Sequence, residues 1–193
     1  MNSVICEIFK YNVFRTKLNF DLNLLEKFSF ELQKNSKGRI NTNLGGWQSE
    51  DLYDEYSIIT ELKKIIEKNI NIFSKEFELI KNLKIDNLWI NINEYKDSNI
   101  AHIHPSSIFS GVFYVKVPEE SGKLTFINPS ENIINYAFEN NVTSWSSKNS
   151  ITWSFEPKEN ELYIFPSFYK HSVTPNMNKK EKRISISFNS QLE

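Results

Sequence analysis

From residue 84 to the end the chain is a succession of short alternating runs: KIDNLWININEY, SGVFYVKVP, GKLTFINP, SITWSFEP, ELYIFPS, HSVTPN and KRISISFNS, separated by clusters of Pro, Gly, Asn, Lys and Glu. Alternation at period two sends successive side chains to opposite faces, the signature of strands that bury one side. About seven or eight such strands at even spacing point to a β-sandwich or jelly-roll barrel, here with helices packed outside one sheet.

The first part of the chain reads as the support for that barrel. Residues 3–18, SVICEIFKYNVFRTKL, mix β-branched and aromatic residues with polar ones at near period two and predict one or two strands. A helix follows, with Asp21 able to cap its start, Leu24, Leu25, Phe28 and Leu32 at helical spacing, and Gly38 after its end. The stretch RINTNLGGWQSED reads as a loop in which Trp47 serves either as part of a flap or, preferably, as an anchor between the helices and the barrel. Residues 55–79 place Ile58, Leu62, Ile65, Ile66 and Ile70 on one helical face with Lys and Glu opposite, an amphipathic helix suited to packing on a sheet. The least regular part, about 128–150, reads as an insertion over one end of the barrel, where long loops often act as lids or binding loops. We therefore expect one domain over 1–193, with 1–83 as strands and helices packed on the core and 84–190 as the core itself.

Composition narrows the function classes. The formal charge is -1, from 23 basic and 24 acidic residues, so nothing in the balance advertises a nucleic-acid or membrane partner. No stretch approaches the roughly 18 apolar residues of a spanning helix. The one cysteine, Cys6, cannot form an intrachain disulfide, and Met1-Asn2-Ser3-Val4 opens no apolar leader, which together predict a cytoplasmic protein. Phe28 and Phe30 suit either a homodimer contact or an ordinary core.

The chain holds 3 histidines, and two of them stand in NIAHIHPSS with one isoleucine between. Along a strand, positions i and i+2 face the same side about 6.6 Å apart, so His102 and His104 can enter one cavity. Two surface histidines beside a Pro-Ser-Ser turn are the bland alternative. The third, His171, lies in FPSFYKHSVTPN, where a short loop delivers it to the start of a strand. Arg183 follows in RISIS, with Arg183, Ser185 and Ser187 on one face and Ile184, Ile186 and Phe188 on the other. A polar inner face on a core strand suits a polar ligand, although Arg183 also reads as the last residue of the charged turn NKKEKR. Asn91 and Asn93 share a face with Trp89 and Tyr95 and could contact a cosubstrate or equally satisfy backbone at a sheet edge.

These motifs in this order, NTNLGGWQS, NLWININEY, NIAHIHPSSIFSGVFYVKVP, ELYIFPSFYKHSVTPN and KRISISFN, resemble the 2-oxoglutarate and Fe(II)-dependent oxygenases with a double-stranded β-helix core, a jelly-roll of the cupin kind, and among them the group found in marine bacteria and phages. The resemblance spans roughly residues 41–190. It implies a mainly β, α+β fold with N-terminal helices on one sheet, Fe(II) as the metal, 2-oxoglutarate as cosubstrate, and hydroxylation of a peptide side chain or small metabolite by O2 with release of succinate and CO2. His102 matches the first metal ligand and His171 the distal one. Arg183 and Ser185 match the R-x-S pair that holds the far carboxylate of 2-oxoglutarate, Tyr114 occupies a place from which a tyrosine often reaches the same carboxylate, and Asn93 is a further candidate contact for the cosubstrate.

His104 departs from that pattern, which has Asp or Glu there. With three neutral imidazoles the metal keeps its full formal charge, which favours an anionic cosubstrate but removes an anionic donor that tunes the iron. Two other readings therefore stay open: a three-histidine cupin-like oxygenase that needs no cosubstrate, and a non-catalytic jelly-roll stapled by a metal such as zinc, which also accepts three histidines and water. Arg183 favours the 2-oxoglutarate-dependent reading over both, since its fixed fork of donors matches a carboxylate.

Overall fold

The computed structural model describes residues 3–6 and 8–193; Met1 and Asn2, part of the stretch read for a leader, and Glu7, inside the first predicted strand run, lie outside the described residues. The elements follow the chain as β1 (Phe14–Lys17), α1 (Leu22–Asn35), β2 (Asn43–Leu44), β3 (Trp47–Gln48), α2 (Ser57–Phe73) with a 3-10 turn at Ser74–Phe77, and β4 (Leu83–Asn93). Then come β5 (Ser98–His102), β6 (Phe109–Lys116), β7 (Leu124–Ile127), α3 (Glu131–Phe138), β8 (Thr152–Phe155), β9 (Glu161–Pro166), β10 (His171–Val173) and β11 (Arg183–Leu192). Every predicted run from residue 84 onward is a strand.

The strands form two antiparallel sheets: a six-stranded one in the order β1-β9-β6-β11-β4-β3 and a five-stranded one in the order β2-β5-β10-β7-β8. The sheets face each other as a jelly-roll. The outer face of the six-stranded sheet, with Leu88, Ile90, Ile92, Ile184, Ile186 and Phe188, packs under α1 and α2 through Leu25, Ile59, Leu62, Ile66, Ile70 and Phe73. Each of these buried side chains contributes on the order of 1.5–3 kcal/mol by removal from water. A smaller apolar cluster of Val112, Tyr114, Leu124, Tyr163, Phe165 and Tyr169 fills the space between the sheets.

Several expectations are corrected. Only Phe14–Lys17 of the 3–18 stretch is a strand, because its pairing partner is Glu161–Ile164 and the described residues before it have no strand neighbour. The Asp21 carboxylate does cap α1, accepting from the Leu24 amide at 3.2 Å, but Leu24 itself is exposed and Leu25 carries the burial. The predicted loop at 39–51 contains β2 and β3, which belong to different sheets. The chain changes sheets at Gly45-Gly46, both at φ near +70° (68 and 69), with the Asp97 side chain against the side where Cβ atoms would stand. Trp47 is buried and its indole donates to the Ser36 carbonyl at 3.0 Å, so it anchors the end of α1 to the barrel. The 128–150 segment holds α3, which buries no residue. Phe28 and Phe30 pack against the helix-covered core. Among the described residues no helix is long and apolar enough to cross a membrane.

Candidate metal centre

The three histidines come together between the sheets. His102 ends β5 and His171 begins β10, and the two are direct cross-strand partners with ring centroids 4.4 Å apart. His104 lies just past β5, its ring 4.9 Å from His102 and 5.2 Å from His171. One nitrogen from each ring lies within 4.8 Å of the others. The backbone delivers His104 through a hydrogen bond from its amide to the Ser167 carbonyl, at 3.0 Å. Ser167 is held in turn by a buried polar chain, its hydroxyl 2.8 Å from that of Ser110, which donates to Asn189 Oδ1 at 2.7 Å.

The rings are prepared as ligands in two ways. Nδ1 of His102 lies 2.7 Å from the Ile100 carbonyl and Nδ1 of His171 lies 2.8 Å from the Tyr169 carbonyl. A carbonyl can only accept, so each Nδ1 carries the proton and each Nε2 presents a lone pair. Burial also disfavours the imidazolium: it lowers His102, holds His104 at about 4 and His171 at about 3. All three are neutral at pH 7, the form that binds a metal. His104 lacks a carbonyl tie among the described residues; the Trp89 ring, at 6.1 Å between centroids, is its aromatic neighbour from the other sheet.

The cavity that these rings border is also lined by Arg183, Ser185, Ser187, Asn91 and Trp89 from the six-stranded sheet. The alternation read in RISIS holds in the fold: the isoleucines face the helices and the polar residues face the cavity. Arg183 is 1% exposed. Its Nη1 donates to the carbonyls of Ser121 and Thr174, whereas Nη2 is buried without a partner. Among the described residues no carboxylate lines this cavity, and the nearby Asp97 charge only partly offsets the effect of burial on Arg183. A guanidinium held away from water with one nitrogen unpaired is costly unless an anion completes it, and burial pulls its pKa down accordingly. Gly122 makes room for it, since a Cβ there would stand 2.7 Å from Nη1.

Tyr114 and Asn93 stand one step from the cavity wall. Tyr114 is the β6 partner of Ser185, and its hydroxyl is buried without a hydrogen bond, its pKa pushed up to about 12 by burial with the Arg183 charge opposing. Asn93 is the β4 partner of Arg183, with Oδ1 buried and unpaired. Asn91 donates to the Ser187 hydroxyl at 3.0 Å and leaves Oδ1 unpaired. Thr42 and Asn99 also line the cavity and carry no sequence signal. Thr42 sits outside the predicted strands, and Asn99 precedes His102 by three positions, out of phase with it until the irregular register between β5 and β10 brings it round.

Three neutral imidazoles with open positions beside them fit a divalent metal, and an unpaired guanidinium nitrogen in the same cavity fits a carboxylate. The donors present therefore suit Fe(II) and 2-oxoglutarate together.

Comparison with known proteins agrees. A family model described as "Putative 2OG-Fe(II) oxygenase" matches residues 87–189, more than half of the chain. No curated protein sequence matches. Among solved structures, a Pseudomonas putida prolyl-4-hydroxylase is similar with a TM-score of 0.65 at 11% identity, covering 95% of this chain and 94% of that one. The viral collagen prolyl hydroxylase of Paramecium Bursaria Chlorella virus-1, in its 2OG complex, is similar at 0.63 and 13% identity, over 95% and 97% of the two chains. HygX of Streptomyces hygroscopicus, with nickel and 2-oxoglutarate bound, is similar at 0.63 and 10% identity, over 94% and 83%. At these identities the likeness shows the fold.

Proposed function

The chain belongs to the 2OG-Fe(II) oxygenase family, and from that premise we propose that it hydroxylates a peptide side chain or a small metabolite, with release of succinate and CO2. The single observation that carries this reading is the buried, unpartnered Nη2 of Arg183 in the same cavity as the three histidines. When bound, Fe(II) and 2-oxoglutarate supply the oxidative chemistry, reducing O2 at the cost of the cosubstrate's carboxyl group.

In this reading His102, His104 and His171 hold the metal through Nε2 or its equivalent, and the carbonyl ties on His102 and His171 keep those two rings aimed. Arg183 takes the far carboxylate of 2-oxoglutarate by charge-assisted hydrogen bonds, joined by the Ser185 hydroxyl beside it. The unpaired Tyr114 hydroxyl is a further donor for the same group, and Asn93 backs Arg183 from the neighbouring strand. Phe165, with its ring centroid 4.6 Å from that of His171, together with Leu124 and Val112, keeps water from the reacting centre. Residues 1–193 act as one catalytic unit, the helices stiffening the sheet that carries Arg183.

The test is an anaerobic titration of apoprotein with Fe(II) and then 2-oxoglutarate, following the visible metal-to-ligand charge-transfer band. A band that appears in the wild type and is lost in His171→Ala supports the reading. Fe(II) binding without a band would return the all-imidazole site to the cosubstrate-independent alternative, in which Arg183→Ala leaves activity unchanged.

A further inference from the structure

Three polar side chains stand in one cross-strand row on the six-stranded sheet: Asn87 of β4 is the direct partner of Asn189 of β11, and Asn189 of Ser110 of β6. Asn189 continues the series Arg183, Ser185 and Ser187 along β11, so the row faces between the sheets. Asn189 Nδ2 donates to Asn87 Oδ1 at 2.9 Å, and Ser110 Oγ donates to Asn189 Oδ1 at 2.7 Å. Because Ser110 uses its one proton there, Ser167 is the donor in the 2.8 Å bond between the two hydroxyls. The bonds thus run in one direction, from Ser167 through Ser110 to the two amides, and the four residues leave no buried side-chain nitrogen or oxygen without a partner. Hydrogen bonds in such a series reinforce one another and fix a single arrangement.

Ser167, at the head of that series, is held at all three of its polar groups. Its amide donates to the Ile108 carbonyl at 3.0 Å, its hydroxyl donates to Ser110, and its carbonyl accepts the His104 amide at 3.0 Å. His104 precedes Pro105, which confines its backbone to extended conformations. Among the described residues it is the one imidazole of the three without a hydrogen bond to a carbonyl, so the place of its ring depends on where its backbone is pinned. The tie also crosses the barrel, from the end of β5 in one sheet to the end of β9 in the other. Apolar side chains of similar shape would fill the same space with little or no loss of stability, so the polar row is better explained by what it holds in place.

We propose that Ser110 and Ser167 are positioning residues for the metal centre: anchored through Asn189 and Asn87, they tie the His104 backbone to the six-stranded sheet and so set the reach of the third imidazole toward the other two. This rests on the reading that all three histidines hold the metal. Breaking the row frees the Ser167 carbonyl to shift, and the His104 ring shifts with it. His102 and His171 keep their own ties to the Ile100 and Tyr169 carbonyls.

The test is Fe(II) affinity, by anaerobic competition with a chromophoric chelator, for Ser167→Ala and Ser110→Ala in the wild-type and His104→Ala backgrounds. Each serine variant is expected to weaken Fe(II) about tenfold in the wild-type background and to add no further loss to His104→Ala, the non-additivity of residues that act through one ligand. Ser190→Ala is the control: Ser190 is buried beside Asn189 and donates to the Phe109 carbonyl at 3.1 Å, outside the row, so its loss should lower the urea midpoint and leave Fe(II) affinity alone. Visible d–d bands of the Co(II)-loaded proteins report ligand number and geometry. They should move toward the His104→Ala spectrum in the two serine variants and match wild type in Ser190→Ala. Ser110→Ala strands the Ser167 hydroxyl and Asn189 Oδ1, whereas Ser167→Ala strands neither, so Ser167→Ala decides the matter if Ser110→Ala fails to fold. Serine variants that bind Fe(II) as wild type does, or that lose affinity in the His104→Ala background as well, overturn the inference, while weakened binding in His104→Ala leaves the three-histidine reading standing. Wild-type affinity in His104→Ala itself would remove that histidine from the site and this inference with it.

Discussion

His102 and His171 face each other across β5 and β10, and each ties its Nδ1 to the carbonyl two residues before it in the chain, Ile100 and Tyr169 respectively. The same local device thus fixes tautomer and ring direction on two strands far apart in sequence. Among the described residues His104 has no such carbonyl tie; its amide donates to Ser167 and its ring packs near Trp89, His102 and His171.

That asymmetry predicts unequal ligand variants. Ligand substitutions and loss of the groups that orient them lower metal affinity by about 10–100-fold or more. His171→Ala and His102→Ala should abolish Fe(II) binding at micromolar metal, whereas His104→Ala should retain a weakened site. His104→Asp should restore tight Fe(II) binding and weaken 2-oxoglutarate about tenfold, because a carboxylate offsets part of the metal charge that attracts the dianion. Anaerobic competition with a chromophoric chelator measures the metal affinities, and equal losses at all three positions would contradict the asymmetry.

Burial sets the pH behaviour. His104 and His171 fall from an ordinary 6.5 to about 4 and about 3 in the folded chain. The folded pKa values lie below the unfolded ones, so between them the unfolded state binds more protons and stability rises with pH. The apoprotein should therefore keep its full stability above about pH 7 and lose it progressively as pH falls below 6.5 toward 3, by an amount on the order of a few kcal/mol. Urea midpoints at pH 7.5, 6 and 5 check the direction.

The same neutrality predicts how metal enters. Because the imidazoles are already deprotonated at neutral pH, Fe(II) uptake at pH 7 should release almost no protons from them. Calorimetric titrations in buffers of different ionisation enthalpy should give the same heat. Release approaching one proton per metal would mean that an imidazolium persists in the apo site.

Arg183 is buried with one nitrogen unpaired, so its charge is a burden in the free protein. Arg183→Met should leave the apoprotein's stability within about 1 kcal/mol of wild type or raise it, because an apolar chain of similar length replaces an incompletely paired ion. It should also weaken 2-oxoglutarate binding by about 100-fold or more. Wild type, but not the variant, should gain roughly 2.7 kcal/mol at a cosubstrate concentration a hundred times Kd. A wild-type melting temperature that 2-oxoglutarate does not move would remove the carboxylate role from this residue.

Gly122 is the space in which Arg183 sits. It has φ +92°, and a Cβ would meet the Thr174 and Pro175 carbonyls and stand 2.7 Å from Arg183 Nη1. Gly122→Ala should cost roughly 1–3 kcal/mol of stability and lower 2-oxoglutarate affinity, with Fe(II) affinity unchanged. Parallel loss of metal and cosubstrate would indicate a general collapse of the site instead.

Much of this arrangement is legible along the chain, and the reason is periodicity. The two faces of β11, with Ile184 and Ile186 toward the helices and Arg183 and Ser185 toward the cavity, follow from the strand repeat alone. Leu62, Ile66 and Ile70 of the α2 stripe follow from the helical repeat, although Ile59 is buried where Ile58 is expected, and Asp21 as a cap follows from its own chemistry. Where periodicity is broken the reading fails. Asn99 is out of phase with His102 until the irregular β5–β10 register shifts it, and Thr42, β2 and β3 lie in a segment too short to show a period.

By itself the sequence singled out the candidate residues, His102, His104, His171 and Arg183, and the strands that end at or begin with most of them, because side-chain type and face are local properties of the chain. Only the tertiary structure decided which strands are neighbours: that β10 lies between β5 and β7, that His171 and Phe126 are direct partners, and that one nitrogen of Arg183 is buried without a partner. Those are outcomes of pairing between segments tens of residues apart, set by which inner faces pack together, and no local pattern encodes them.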